Sequence, residues 1–164
     1  MTNQIPDNEN VARAIFSPQM INSNGELLLA AFALRVFKDG GKEDYISVCR
    51  MSVTSWMSDI ENIPQYKNRR LYGYASLNVG SIRRIELKFE DYPAIYDVID
   101  CSSNQCPSHA GITTTIGGNI ITGGQNVFFN VLQINEPEDF VMMAIQSELL
   151  AIARLNLVHL KFEL

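Results

Sequence analysis

The chain has 164 residues, 46% of them apolar and 19% charged, a balance that excludes a disordered polymer and suits one hydrophobic core better than two. A net charge of −5 with a pI near 5.0 argues against charge-driven binding to nucleic acid or anionic lipid over the surface as a whole. The N-terminus shows no basic, then apolar export signal and no apolar run is long enough to span a bilayer, so the expectation is a cytoplasmic protein with no membrane partner.

Asn10 to Phe16 reads as a short helix, with Asn8 or Asn10 as its N-cap and Ser17-Pro18 limiting its length. After the turn signal Asn22-Ser23-Asn24-Gly25, the run Glu26 to Phe37 is nearly all apolar and reads as a buried strand. The turn-rich Lys38 to Lys42 would join it in a hairpin to a second strand, Tyr45 to Val53. Thr54 or Ser55 then caps a helix through Ile63, ended by Pro64, with Trp56 and Ile60 on one face.

Leu71 to Val79 alternates, with Leu71, Ala75, Leu77 and Val79 on one side and Tyr72, Tyr74, Ser76 and Asn78 on the other. Ile85, Leu87 and Phe89 alternate with Glu86, Lys88 and Glu90, and Ala94 to Asp100 follows as an antiparallel neighbour after a turn at Asp91-Tyr92-Pro93. Ile112 to Ile134 reads as short strands punctuated by Gly117-Gly118-Asn119 and Gly123-Gly124. Asn135 to Asp139 supplies an N-cap, an early proline, a capping-box Glu138 and acidic charge for a helix running to about Leu155. Its apolar surface exceeds one core-facing stripe, so it is buried or meets a partner. Val158, Leu160, Phe162 and Leu164 then alternate with polar residues as a terminal strand. The fold class is therefore α+β: a single domain, mainly antiparallel sheet, with about three helices including a long C-terminal one followed by a strand.

Reactive side chains crowd into Cys101-Ser102-Ser103-Asn104-Gln105-Cys106-Pro107-Ser108-His109. Cys49, Cys101, Cys106 and His109 hold the right atoms for zinc but not its paired Cys-x2-Cys spacing, so no metal is expected. With no export signal, the three cysteines are read as free thiols. Cysteine–histidine catalysis would use Cys106 and His109 with Asp100 or Asp97 orienting the imidazole, although turn packing explains the same residues. His159, on the polar face of the last strand, reads as a solvated side chain. No cofactor is expected, because neither standard phosphate-binding glycine motif is present. Tyr66 to Lys88 concentrates Lys67, Arg69, Arg70, Arg83, Arg84 and Lys88, six of 13 basic residues, beside Tyr66, Tyr72 and Tyr74. That mixture suits phosphate contacts and base stacking, and equally suits a solvated rim.

Val11-Ala12-Arg13, Ser17-Pro18, Ala31-Phe32, Ser47-Val48-Cys49-Arg50 and Pro107-Ser108-His109-Ala110-Gly111-Ile112, in that order, resemble segments of small bacterial cytosolic proteins to which no activity is attached. The resemblance implies a bacterial cytosolic setting and carries over no catalytic residue. It also marks Arg13, Arg50 and His109 as groups that could gather around an anion. Three functions are open at this point. The first is a non-enzymatic accessory protein that binds a protein partner or its own copies. The second is an enzyme or ligand-binding domain built around His109, and the third is a nucleic-acid face along 66–88.

Overall fold

The computed structural model describes residues 4–33, 45–64, 69–120, 135 and 137–157. The expected turn at Lys38 to Lys42, the residues Tyr66 and Lys67, the glycine pair at Gly123-Gly124, and the terminal strand from Val158 with its His159 lie outside them. In chain order the elements are β1 (Asn10–Ser17), a 3-10 turn (Leu29–Phe32), β2 (Ile46–Arg50), α1 (Trp56–Glu61), β3 (Arg70–Asn78), α2 (Val79–Arg83) and β4 (Leu87–Phe89). There follow β5 (Tyr92–Asp100), β6 (His109–Ile116), β7 (Asn119–Ile120), α3 (Glu138–Ile152) and β8 (Arg154–Leu157). The strands form one antiparallel sheet in the order β4-β5-β6-β2-β1-β3-β8, with β7 also paired to β6. No described helix is long and apolar enough to cross a membrane.

The helix expected over Asn10–Phe16 is a central strand instead. Val11 through Phe16 are all buried, because β2 and β3 flank β1 and both faces are covered. A strand covered on both faces has no polar phase, so its sequence shows no alternation to distinguish it from a buried helix. The strand expected over Glu26–Phe37 is also corrected where it is described. Leu29–Phe32 is a 3-10 turn that buries the consecutive residues Ala31 and Phe32. The hairpin partner foreseen for β2 is displaced as well, since β1 and β6 occupy both of its edges.

Ser55 takes the N-cap position of α1, but its hydroxyl donates to the Asp59 side chain rather than capping the backbone. Strand β3 alternates as expected until a bulge, where Ile15 pairs with Gly73 but Phe16 with Leu71. The extra residue turns Leu71 away from the Ala75 and Leu77 side and into a cluster with Phe16. Between β3 and β4 the short α2 was not foreseen; Asn78 caps it, its Oδ1 accepting from the Ser81 amide at 2.9 Å. The β4–β5 turn falls at Glu90-Asp91, one residue earlier than expected, with Glu90 at φ 54°. Gly117 and Gly118 take positive φ between β6 and β7.

Helix α3 begins with Pro137, not Asn135, at the N-cap position; the Asn135 amide donates to Glu90 Oε1 at 3.0 Å. It stops at Ile152 rather than Leu155, because Ala153 is extended and the following residues pair with β3. On one face of the sheet, Val141, Ile145 and Leu149 of α3 and Val79 and Ile82 of α2 join Val11, Ile15, Leu77, Val98 and Ile112 in the main core. The Tyr96 hydroxyl donates to the Ile145 carbonyl at 3.0 Å. On the other face, a smaller cluster gathers Ala12, Ala14, Phe16, Cys49, Ile60 and Leu71 beside α1.

Beyond Ala94, among the described residues, no strand pairs with β5 on the side away from β6. There Asp97 Oδ1 accepts from the Val98 amide at 2.8 Å and from Arg83 Nε at 2.8 Å, while Arg83 Nη2 donates to the Val98 carbonyl at 3.3 Å. The same guanidinium also reaches the Ile5 carbonyl at 2.5 Å and Asp7 Oδ1 at 2.7 Å.

Candidate functional site

Strands β1 and β2 pair only at Val11–Arg50 and Ala12–Cys49. Past that point β1 continues against β3 and β2 against β6, so the two strands part. Arg13 is the first residue beyond the last pair. It is 3% exposed, and donates from Nε to the Ala31 carbonyl at 2.8 Å and from Nη1 to the Ser47 carbonyl at 2.8 Å. The guanidinium thus satisfies a β2 carbonyl where the ladder with β1 has ended.

At this parting lies a cavity of about 270 Å³. Ala12, Ala14 and Phe16 of β1, Val48 and Cys49 of β2, and Ile60, Ile63 and Pro64 from α1 and its exit supply apolar wall. Arg13, Ser47, Asp59, Cys106 and His109 supply polar wall. The small side chains of Ala12 and Ala14 leave the space between sheet and helix.

The turn ahead of β6 is stitched to the end of β2. Cys49 pairs with His109, the Arg50 amide donates to the Ser108 carbonyl at 2.7 Å, and the His109 amide donates to the Cys106 carbonyl at 3.2 Å. Ser108, fully buried, donates from its hydroxyl to Asp59 Oδ2 at 2.5 Å and from its amide at 3.2 Å, and the Ser55 hydroxyl adds a third bond at 3.1 Å. Burial works to raise the Asp59 carboxyl, but these donors outweigh it and hold the group below its ordinary range. Burial pushes the Cys49 thiol up to about 11. Burial, then the Asp59 charge, raises Cys106 as well. His109 Nε2 lies 3.2 Å from Ser47 Oγ, and its ring meets the Tyr45 ring edge-on at 5.6 Å. Tyr45 lies so close over Gly111 that a Cβ there would come within 2.5 Å of its ring.

Of the residues singled out in the sequence, the cavity brings together Arg13, Cys49, Cys106 and His109. Asp100 is bonded elsewhere: its Oδ1 accepts from the Ser102 amide at 2.8 Å and its Oδ2 lies 3.5 Å from Arg50. Burial and the Asp59 charge raise the Cys106 thiol, the reverse of nucleophile activation. The Cys101 thiol, outside the cavity wall, points to the Ile99 carbonyl at 3.9 Å. Among the described residues, no three His, Cys, Asp or Glu side chains converge to hold a metal ion.

Arg50 makes a two-pronged pair with Glu9, at 3.0 and 2.6 Å. The hydrogen bond to Arg50 lowers the Glu9 carboxyl, against burial. The basic stretch is divided by β3: Arg69 and Arg70 stand at its start, and Arg83 and Arg84 follow its end about 25 Å away. Arg69 lies over the Phe16 ring at 3.6 Å, Arg70 and Arg84 are exposed, and Arg83 is bound to two carboxylates. Sequence reasoning missed Asp59 and its contact with Ser108, which spans 49 positions. Comparison of the chain with protein-family models, with curated proteins and with solved structures finds no match.

Proposed function

We propose that this protein binds a small ligand in the cavity beneath α1. One observation carries the reading: an apolar hollow whose walls also present Ser47, Asp59, Cys106 and His109. Few polar groups set in an apolar wall is the composition of ligand pockets. Its volume is close to the lower limit for such pockets, about 300 Å³, which suits a compact molecule with an apolar body and one hydrogen-bonding head and excludes a dinucleotide. The protonated thiols and the bonded imidazole favour binding over nucleophilic catalysis.

The test is a screen of small alcohols, amides and amines against isotope-labelled protein, read by amide chemical shifts. Binders should move Ala12, Ala14, Ile60 and His109, and Ala14→Leu should abolish the shifts. A set with no binder at millimolar concentration, or binding that Ala14→Leu leaves intact, would overturn the proposal.

A second reading, a non-enzymatic partner-binding or self-associating protein in a bacterial cytosolic complex, draws on Phe140 and Met143, 56% and 53% exposed and about one turn apart on α3. Sedimentation of the protein beside a Met143→Glu variant tests it: a monomer in both cases defeats self-association.

A further inference from the structure

Two of the three cysteines meet at the cavity wall. Cys49, in β2, pairs across strands with His109, and backbone bonds from His109 to Cys106 and from Arg50 to Ser108 hold the turn carrying Cys106 beside it. Strand pairing and the turn thus bring both thiols to one stretch of the cavity wall, where each perturbs the other's ionisation. Cys49 is buried while Cys106 is partly open to solvent, and both line the same hollow.

We propose that Cys49 and Cys106 are a reversible redox pair, closed to a disulfide by a hydroperoxide, and that closure regulates ligand entry to the cavity. The regulatory half rests on the ligand-binding reading; the cross-link rests on the position of the two thiols alone. Cys106, the more accessible, attacks the peroxide O–O bond as its thiolate, giving a sulfenic acid, and its proton passes to the departing alkoxide. The Cys49 sulfur then displaces hydroxide from that sulfenic acid, and its own proton leaves with the hydroxide as water. Two thiols and one hydroperoxide thus yield one disulfide, one alcohol and one water, with two electrons passing to the peroxide.

The surroundings favour this product at equilibrium. A strongly oxidising disulfide is one whose reduced form is stabilised, commonly as a thiolate. Here burial and the Asp59 carboxylate disfavour both thiolates, so the reduced pair gains no such advantage. The same feature makes the reaction slow, because the thiolate is the attacking species. Closure brings the sulfurs to about 2.05 Å, pulling the Cys106 turn onto β2 and narrowing the cavity that both cysteines line.

The experiment uses the full chain, reduced, then treated with hydrogen peroxide, alkylated with iodoacetamide and digested without reductant for mass spectrometry. The expected product links Cys49 to Cys106 and leaves Cys101 alkylated. It disappears with dithiothreitol and in Cys106→Ser, and persists in Cys101→Ser. The affinity of the best alcohol or amide from the screen should weaken about tenfold on oxidation and recover on reduction. Cys106 linked to Cys101, or Cys106 oxidised to sulfinic acid while Cys49 remains alkylatable after denaturation, would overturn the pair. A formed link with unchanged affinity overturns the regulatory half alone. A screen without binders removes that half together with the ligand-binding reading and leaves the cross-link to be judged by mass.

Discussion

On the face of the sheet that meets α3, branched and bulky side chains close on one another: Val11, Ile15, Leu77, Val98 and Ile112 against Val141, Ile145 and Leu149. On the face that meets α1, the same strand β1 offers Ala12 and Ala14, and α1 contributes only Ile60 as a fully buried side chain. One strand therefore builds a filled core with its odd residues and a hollow with its even ones. The filled side carries stability, whereas the hollow side collects the buried serine, the carboxylate, the thiols and the imidazole. Unequal side-chain volume on two faces of one strand is enough to separate the two tasks.

That contrast is open to attack from several directions. Leu149→Ala on the filled side should cost about 3 kcal/mol by cavity formation, read as a lowered urea midpoint, with ligand-induced shifts unchanged in the protein that remains folded. Arg13→Lys lies between the two sides. Lysine keeps the charge but cannot reproduce both carbonyl contacts from one planar group, and a loss of about 2 kcal/mol is expected by the same measurement. A loss below about 0.5 kcal/mol would show that the parting of β1 and β2 does not depend on the guanidinium.

Glu9→Gln tests the ion pair at the end of β2 and should cost about 1 kcal/mol at neutral pH. The sign with pH is fixed by the lowered Glu9 and Asp59 carboxyls. A carboxyl lowered in the fold stabilises at pH above its unfolded value, and the contribution disappears as pH falls through the lowered folded value. Unfolding midpoints should therefore drop on acidification below about pH 4, and Glu9→Gln should flatten part of that drop. Ala14→Leu has the smallest expected effect on stability, less than about 1 kcal/mol, because it fills space already present; its large effect is on ligand binding.

Period-two alternation made β3 and the β4–β5 hairpin legible, since each keeps one better-solvated side. Strand β1 was not, because Val11 to Phe16 are buried on both sides and leave no polar phase to count. Helix α2 was hidden for a related reason: Val79 and Ile82 extend an apolar pattern that a five-residue helix is too short to convert into its own period. At the site, Cys106 and His109 were visible through their closeness in sequence, and Arg13 through the resemblance. Asp59 and Ser108 come together only when α1 docks against the turn before β6, and no local spacing encodes that meeting. Ala12 and Ala14 look like ordinary core alanines until the strands beside them are in position.

The bonds that Arg83 and Asp97 make around Val98 have a bearing on what happens at high protein concentration. An exposed strand margin recruits like chains by offering unspent amides and carbonyls in register. At Val98 the donor is already taken by Asp97 and the acceptor by Arg83. A neighbouring chain laid along β5 would meet a position with nothing left to give, guarded by a guanidinium that bridges Asp7 and Asp97. At Val98 the margin is in this way closed by side chains, which removes one rung of the ladder a like chain would need there.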